Sequence, residues 1–264
     1  MREILCIEVD TRFESCVGYL GRRLEPFINP GYVSVEIDGG IFRIMYNDAV
    51  DVPRFDNEKR IIRIRAVIVD AISEVIINDC KAHFIAEQMR LPATDVLGNH
   101  AFVCALSTFD RATDKMIASG LVKLTPRFLL GSFYDFCLAS LKKRWLEVCV
   151  LANENINYLM CGKNFNELIR FLIANIENTC DYVHLVRGSD GVIEMTCSDA
   201  KALNNLYVGE GLGPEICLLQ KLIMLSPRRI FFVGECELFN RIRKMFVACV
   251  DVNAPLTRAG TPRH

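Results

Sequence analysis

Hydrophobic and polar positions change period three times along the chain. Residues 3 to 9, EILCIEV, form a strand-type run, and in the TRFESCVGYLGRRL that follows, Phe13, Val17, Leu20 and Leu24 recur at helical steps. YVSVEIDGGIFRIMYN then carries two strand-type runs around Asp38-Gly39-Gly40, residues that accept the positive φ of a tight hairpin turn. Together these elements predict a small β-α-β-β module over residues 1–53, closed by Val52-Pro53.

The period of three to four then takes over and predicts a central helical region over 54–178. From Lys59 to about Met89, Ile61, Ile64, Ile68, Ile72 and Val75 mark one face of a long helix, stopped by Leu91-Pro92. A second helical stretch covers Gly98 to Ala118. Thr125-Pro126 reads as a helix start, a hydroxyl cap followed by proline in the first position. The buried face of that helix is expected at Leu130, Phe133, Cys137, Leu141, Trp145 and Val148. Cys161-Gly162 interrupts the chain, and Asn164 three residues before Glu167 has the spacing of a capping box.

In the last part strands and helices alternate, giving a C-terminal α/β module over 179–252 and a flexible tail over 253–264. DYVHLV and VIEMT flank RGSDG as a second hairpin. Between Ile216 and Leu225 only Gln220 and Lys221 are polar, which predicts a deeply buried helix. Strand 230–233, a helix over CELFNRIRKM and strand 247–252 complete a β-α-β unit whose two strands should run parallel. The fold class is therefore α+β.

Composition narrows the functional classes. With 264 residues, 51% hydrophobic and 24% charged, the chain is globular and large enough for a real core. A formal net charge of −1 argues against a protein dominated by nucleic-acid or acidic-membrane binding. No apolar run reaches the ~18 residues of a membrane span, and MREILCIEVD meets acidic residues too early for a secretory signal, so a cytoplasmic location is expected. Twelve cysteines are spread from Cys6 to Cys249 without any CxxC pair, so they read as buried thiols rather than bridges or metal ligands.

Candidate chemistry is sparse. In EICLLQKLIMLSPRRIFFVG, Pro227 ends a helix, and Arg228 and Arg229 at a strand start point to opposite faces, so they form a corner rather than an anion clamp. GEGLGPE lacks the Lys-Ser/Thr of a phosphate loop and the GxGxxG spacing. His184 shares a strand face with Tyr182 and Val186 and is a candidate base or proton switch. His83 and His100 have neither HxxxH nor HExxH spacing, so no zinc site is expected. Ligands of open α/β sheets gather beyond the carboxyl ends of strands, here Val233-Gly234-Glu235 and Asp251. His184, Gly234 and Glu235 are thus the ligand-binding candidates, with no catalytic residue, metal or cofactor assigned. EKRIIRIRAVIVD puts Lys59, Arg60, Arg63 and Arg65 on a helix flank, and from Ser226 onward seven Lys/Arg face three Asp/Glu. A solvated face is the favoured reading of the helix flank, and the C-terminal stretch is a local basic excess of four.

NELIRFLIANIE, then DYVHLV with Asp190-Gly191 in the turn, then LLQKLIMLSPRRIFF resemble, in that order and spacing, the YtxC family of sporulation proteins. The resemblance covers residues 165 to 233; it departs at Asn178-Thr179-Cys180, where relatives tend to have a proline-containing turn. It implies a cytoplasmic protein of endospore-forming bacteria with no established enzymatic activity, and so no catalytic residue to carry over. The expected function is a non-enzymatic one in the sporulation programme, exercised by binding a protein partner, with no membrane partner. The first alternative is an enzyme or small-ligand binder using the C-terminal α/β unit. The second, nucleic-acid binding, requires Arg60, Arg63 and the C-terminal arginines on one face.

Overall fold

The computed structural model describes residues 2–47, 54–91, 95–156, 162–209 and 212–249. The expected boundary at Val52-Pro53, the stop at Pro92, the break at Cys161, Asp251 and the tail lie outside these residues. The described residues form an α+β fold with two separate small sheets, and no helix among them is long and apolar enough to cross a membrane.

The N-terminal sheet has the order β2-β3-β1-β4, with β1 at Arg2–Glu8, β2 at Val33–Asp38, β3 at Ile41–Tyr46 and β4 at Arg127–Leu129. The first hairpin forms where its glycines predict it. Gly39 and Gly40 have φ of 52° and 85°, and a side chain at Gly40 would meet the Val9 carbonyl at 2.6 Å. Helix α1 (Cys16–Ile28) and helix α2 (Arg54–Val75) cover one face, where Leu5, Ile7, Phe42 and Ile44 pack with Leu20, Leu24, Ile64 and Ile68.

The fourth strand corrects the expectation at Thr125-Pro126. Instead of capping a helix, the segment pairs in parallel with β1, where Cys6 N–H donates to the Pro126 carbonyl at 2.7 Å. Burying Phe128 beside Ile7 and satisfying the edge of β1 outweigh a local capping signal that any Thr-Pro pair carries.

Helical structure resumes at Leu130 as α6 (Leu130–Ser132), which runs into a π-helical turn at Phe133–Cys137 and then α7 (Ala139–Glu154). The wider turn spends one extra residue and shifts the buried face. Cys137 and Val148, expected inside, are exposed, while Leu138 and Cys149 take their places. A second π-turn, Ile76–Cys80, interrupts the long central helix between α2 and α3 (Lys81–Gln88). The expected stretch from Gly98 to Ala118 is two helices, α4 (Val96–Phe109) and α5 (Arg111–Leu121). Helix α8 (Gly162–Ala174) begins before Asn164, so Asn164 lies inside the helix and is not its cap.

The C-terminal sheet has the order β6-β5-β7: β5 (Cys180–Arg187) is antiparallel to β6 (Ile193–Cys197) and parallel to β7 (Pro227–Val233). The crossover from β6 to β7 carries α9 (Ala200–Asn204) and α10 (Pro214–Leu225), and α11 (Glu237–Met245) follows β7. The parallel partner of β7 is thus β5. Of the expected strand 247–252, the described residues Val247–Cys249 form a turn, tied to β7 by one bond from Ile230 N–H to the Cys249 carbonyl at 2.8 Å.

At the SPRR corner, Ser226 adopts φ 39° and ψ 65°, the one positive φ outside glycine among the described residues. A left-handed residue there reverses the chain within one position, a strain of about 1–3 kcal/mol. Its hydroxyl donates to the Ile176 carbonyl at 3.2 Å, which holds the corner to the end of α8.

Candidate functional site

Alternation along β5 and β7 sorts their side chains onto two faces. Val183, Leu185 and Ile230 turn inward and pack with Leu219, Leu222 and Ile223 of α10 and Phe239 and Ile242 of α11. Tyr182, His184 and Val186 of β5, with Arg229, Phe231 and Val233 of β7, turn outward, and none of them belongs to either hydrophobic core. Glu194 and Thr196 of β6 complete this outer face.

The outer face is aromatic. His184 stacks on Phe231 with ring centres 4.9 Å apart and an angle of 29°. Tyr182, 38% exposed, stands edge-on to both, at 5.3 Å from His184 and 6.1 Å from Phe231. Arg229 places its guanidinium 5.8 Å from the Phe231 centre. Three rings on adjoining strands form one aromatic patch, two stacked and one edge-on, with an arginine at its margin.

The structure does not gather the three sequence candidates into one concave site. The His184 side chain has ring contacts only and makes no hydrogen bond or ion pair with a described side chain. Gly234 comes three residues after Phe231, the register partner of His184, which is roughly 10 Å along a strand. Its φ of 87° turns the chain beside Arg187. Glu235 is fastened by its carboxylate to Arg243 at 2.8 and 3.0 Å, and its carbonyl accepts from Arg187 at 2.8 Å. The hydrogen bonds and charge of Arg243 hold the Glu235 carboxyl below its usual range. Gly234 and Glu235 thus serve the turn into α11. Without a partner to take or hand on a proton, His184 acts here as a ring.

Desolvated ionisable groups do cluster, but in the central helices. Lys81 lies 2.7 Å from Asp114, both side chains almost fully buried, and the Trp145 indole N–H donates to Asp114 at 2.9 Å. Burial lowers the Lys81 pKa, with Asp114 opposing. Glu74 binds Arg111 at 2.6 Å and Lys115, and accepts from Asn78 at 2.8 Å. Burial alone would raise the Glu74 pKa, but Arg111 and Lys115 prevail and lower it. Asp79, in the Ile76–Cys80 π-turn, lies 3.3 Å from His83, and its hydrogen bond raises the histidine to about 9. The Asp79-x-x-x-His83 spacing, one helical turn, was the sequence signal for that pair. Nothing local marked Lys81 or Asp114, which are 33 residues apart.

These groups neutralise one another and leave no unpaired base beside a nucleophile. Burial pushes the thiols of Cys16 and Cys104 up to about 12, which keeps them protonated and unreactive. Among the described residues, no group of three or more His, Cys, Asp or Glu side chains is placed to hold a metal ion. No protein-family model, curated protein or solved structure significantly matches the chain.

Proposed function

We propose that this chain is a non-enzymatic binding protein that takes a protein partner on the outer face of its C-terminal sheet. Within this reading it acts in the cytoplasm of an endospore-forming bacterium, as the resemblance over residues 165 to 233 implies. The observation that carries it is the aromatic patch on the outer sheet face, with Tyr182 exposed and the stacked His184 and Phe231 half-buried. Apolar ring surface left in water is a standing cost that association relieves, and buried aromatic anchors commonly dominate binding energy.

A protein suits this face better than a nucleic acid. Arg229 is offset by Glu194 on the same face, so there is little cationic excess for a phosphate backbone. Arg228 lies 3.8 Å from Asp181. Arg60, in α2, rests its guanidinium on Tyr32 of the N-terminal module, 3.7 Å from the ring centre.

The test is affinity capture from sporulating cells with the wild-type chain, Tyr182→Ser/Phe231→Ser, and Arg43→Ser on the other sheet. The expected result is a specific protein retained by wild type and Arg43→Ser and lost by the ring variant. Equal retention by all three, or no specific protein, would overturn the proposal.

A further inference from the structure

Where the N-terminal and C-terminal layers meet, α1, β6, α9 and α10 enclose a cleft of about 920 Å³, a size typical of small-molecule sites. Its walls are held from below. Tyr19 of α1 and Tyr207, both buried, pack with ring centres 5.1 Å apart. The Tyr19 hydroxyl donates to the Asn205 carbonyl at 3.0 Å, and Tyr207 shares a hydrogen bond of 2.6 Å with Ser15. These contacts tie the segment after α9 to α1, so the cleft is a built feature of the tertiary structure.

The charged lining is mostly cationic: Arg22, Arg23 and Lys221, against the single carboxylate of Glu25. Arg23 is already engaged, with the Tyr19 hydroxyl at 2.8 Å and Asp70 at 2.6 Å. Arg22 packs over the Tyr19 ring at 5.9 Å, and neither it nor Lys221 forms an ion pair with a described residue. Two cations from different layers therefore face one space with their charge unmet. Beside the cations the lining is apolar at Ile193, Met195 and Leu218, and at Ile193, Pro214 and Leu218 it adjoins a second hollow of about 390 Å³ that reaches Leu238 and carries Asp190 and Glu215 on its lining. A cationic end thus adjoins an apolar stretch, with the carboxylates of Asp190 and Glu215 beyond it.

We propose that this cleft binds a small amphiphilic anion, a phosphate or carboxylate head held by Arg22 and Lys221 with its apolar body laid along Ile193 and Leu218. Arginine offers a planar fork and lysine a mobile point charge, a pair that suits a compact oxyanion. The apolar wall selects against fully hydrated ions such as free phosphate, because they leave that surface wet. This site is separate from the aromatic face, and neither proposal depends on the other.

Isothermal titration of the full chain with decyl phosphate and with decanoate, each below its micelle concentration, tests the inference. Inorganic phosphate and decyltrimethylammonium serve as the head-only and charge-reversed probes. We expect one saturable site for at least one anionic amphiphile and at least ~10-fold weaker binding of inorganic phosphate, with no saturable binding of the cationic amphiphile. Arg22→Glu/Lys221→Glu should weaken the anionic amphiphile at least ~10-fold with its thermal midpoint near wild type, because no ion pair is lost. Lys221→Gln provides a milder second variant with a smaller loss in the same direction. Absence of anionic binding, equal binding of the cationic amphiphile, or unchanged affinity in both variants would overturn the proposal.

Discussion

On the N-terminal sheet the side chains turned away from the core include Glu3, Glu8, Arg43 and Arg127, and they pair across strands as Glu3–Arg43 at 3.9 Å and Glu8–Arg127. On the C-terminal sheet the corresponding positions hold Tyr182, His184 and Phe231. Both sheets bury one face under helices and leave the other to water. The charged face keeps its hydration at almost no energetic cost, since exposed ion pairs are worth about 0–1 kcal/mol. The aromatic face retains apolar area that folding did not remove. Behind the faces the contrast inverts. The N-terminal and central core encloses ion pairs at Lys81–Asp114 and Glu74–Arg111, whereas α10 packs Leu218, Leu219, Leu222 and Ile223 in an apolar cluster. The difference teaches where each half places its charge: one buries ion pairs between its helices, whereas the polar side chains buried in the other, such as Gln220 and Ser226, are neutral.

The largest expected effect attacks the interior side of that contrast. Asp114→Asn leaves the Lys81 ammonium buried without its counter-charge and should cost about 3–5 kcal/mol in urea denaturation. Lys81→Met/Asp114→Leu should lose less than either single variant, because a matched apolar pair leaves no orphan charge. A loss below about 1 kcal/mol for Asp114→Asn would erase the distinction between the two cores.

The outer faces predict smaller numbers. Tyr182→Ser/Phe231→Ser gives up ring packing and should cost about 1 kcal/mol, while Arg43→Ser should stay within about 0.5 kcal/mol. Comparable, large losses for both would mean that the aromatic face is structural. The smallest effect is electrostatic. His83, whose side chain is 73% exposed, should titrate by NMR with a midpoint of about 9, and Asp79→Asn should return it toward the ordinary value of about 6.5. Because folding raises this pKa, its contribution to stability is complete below about 6.5 and disappears as pH rises through about 9. Glu74 acts in the opposite sense: its lowered pKa contributes above the ordinary carboxylate range and is lost as pH falls through the folded value.

Much of the architecture was legible because its signals are local. Asp38-Gly39-Gly40 and Ser189-Asp190-Gly191 mark hairpin turns that form, and Ile64, Ile68, Ile72 and Val75 mark a helix face that is buried. The π-turn at Phe133–Cys137 was not legible, since a single extra residue per turn leaves no mark in composition yet exchanges Cys137 for Leu138 in the core. Strand β4 was hidden for another reason. Its three residues are strand only because the edge of β1 accepts them. Of the candidate site, the shared face of Tyr182 and His184 was readable from alternation, but Phe231, which completes the patch, lies 47 residues after its register partner His184.

Periodicity, turn residues and proline positions by themselves determined the α+β class, both hairpins, the dry helix before Ser226 and the corner it makes, because each depends on backbone preferences within a few residues. Only the tertiary structure decided which strand edges were filled, which buried charges met their partners, and that His184 faces a ring instead of a carboxylate. Those outcomes turn on groups far apart in the chain whose desolvation is tolerable only in one another's company.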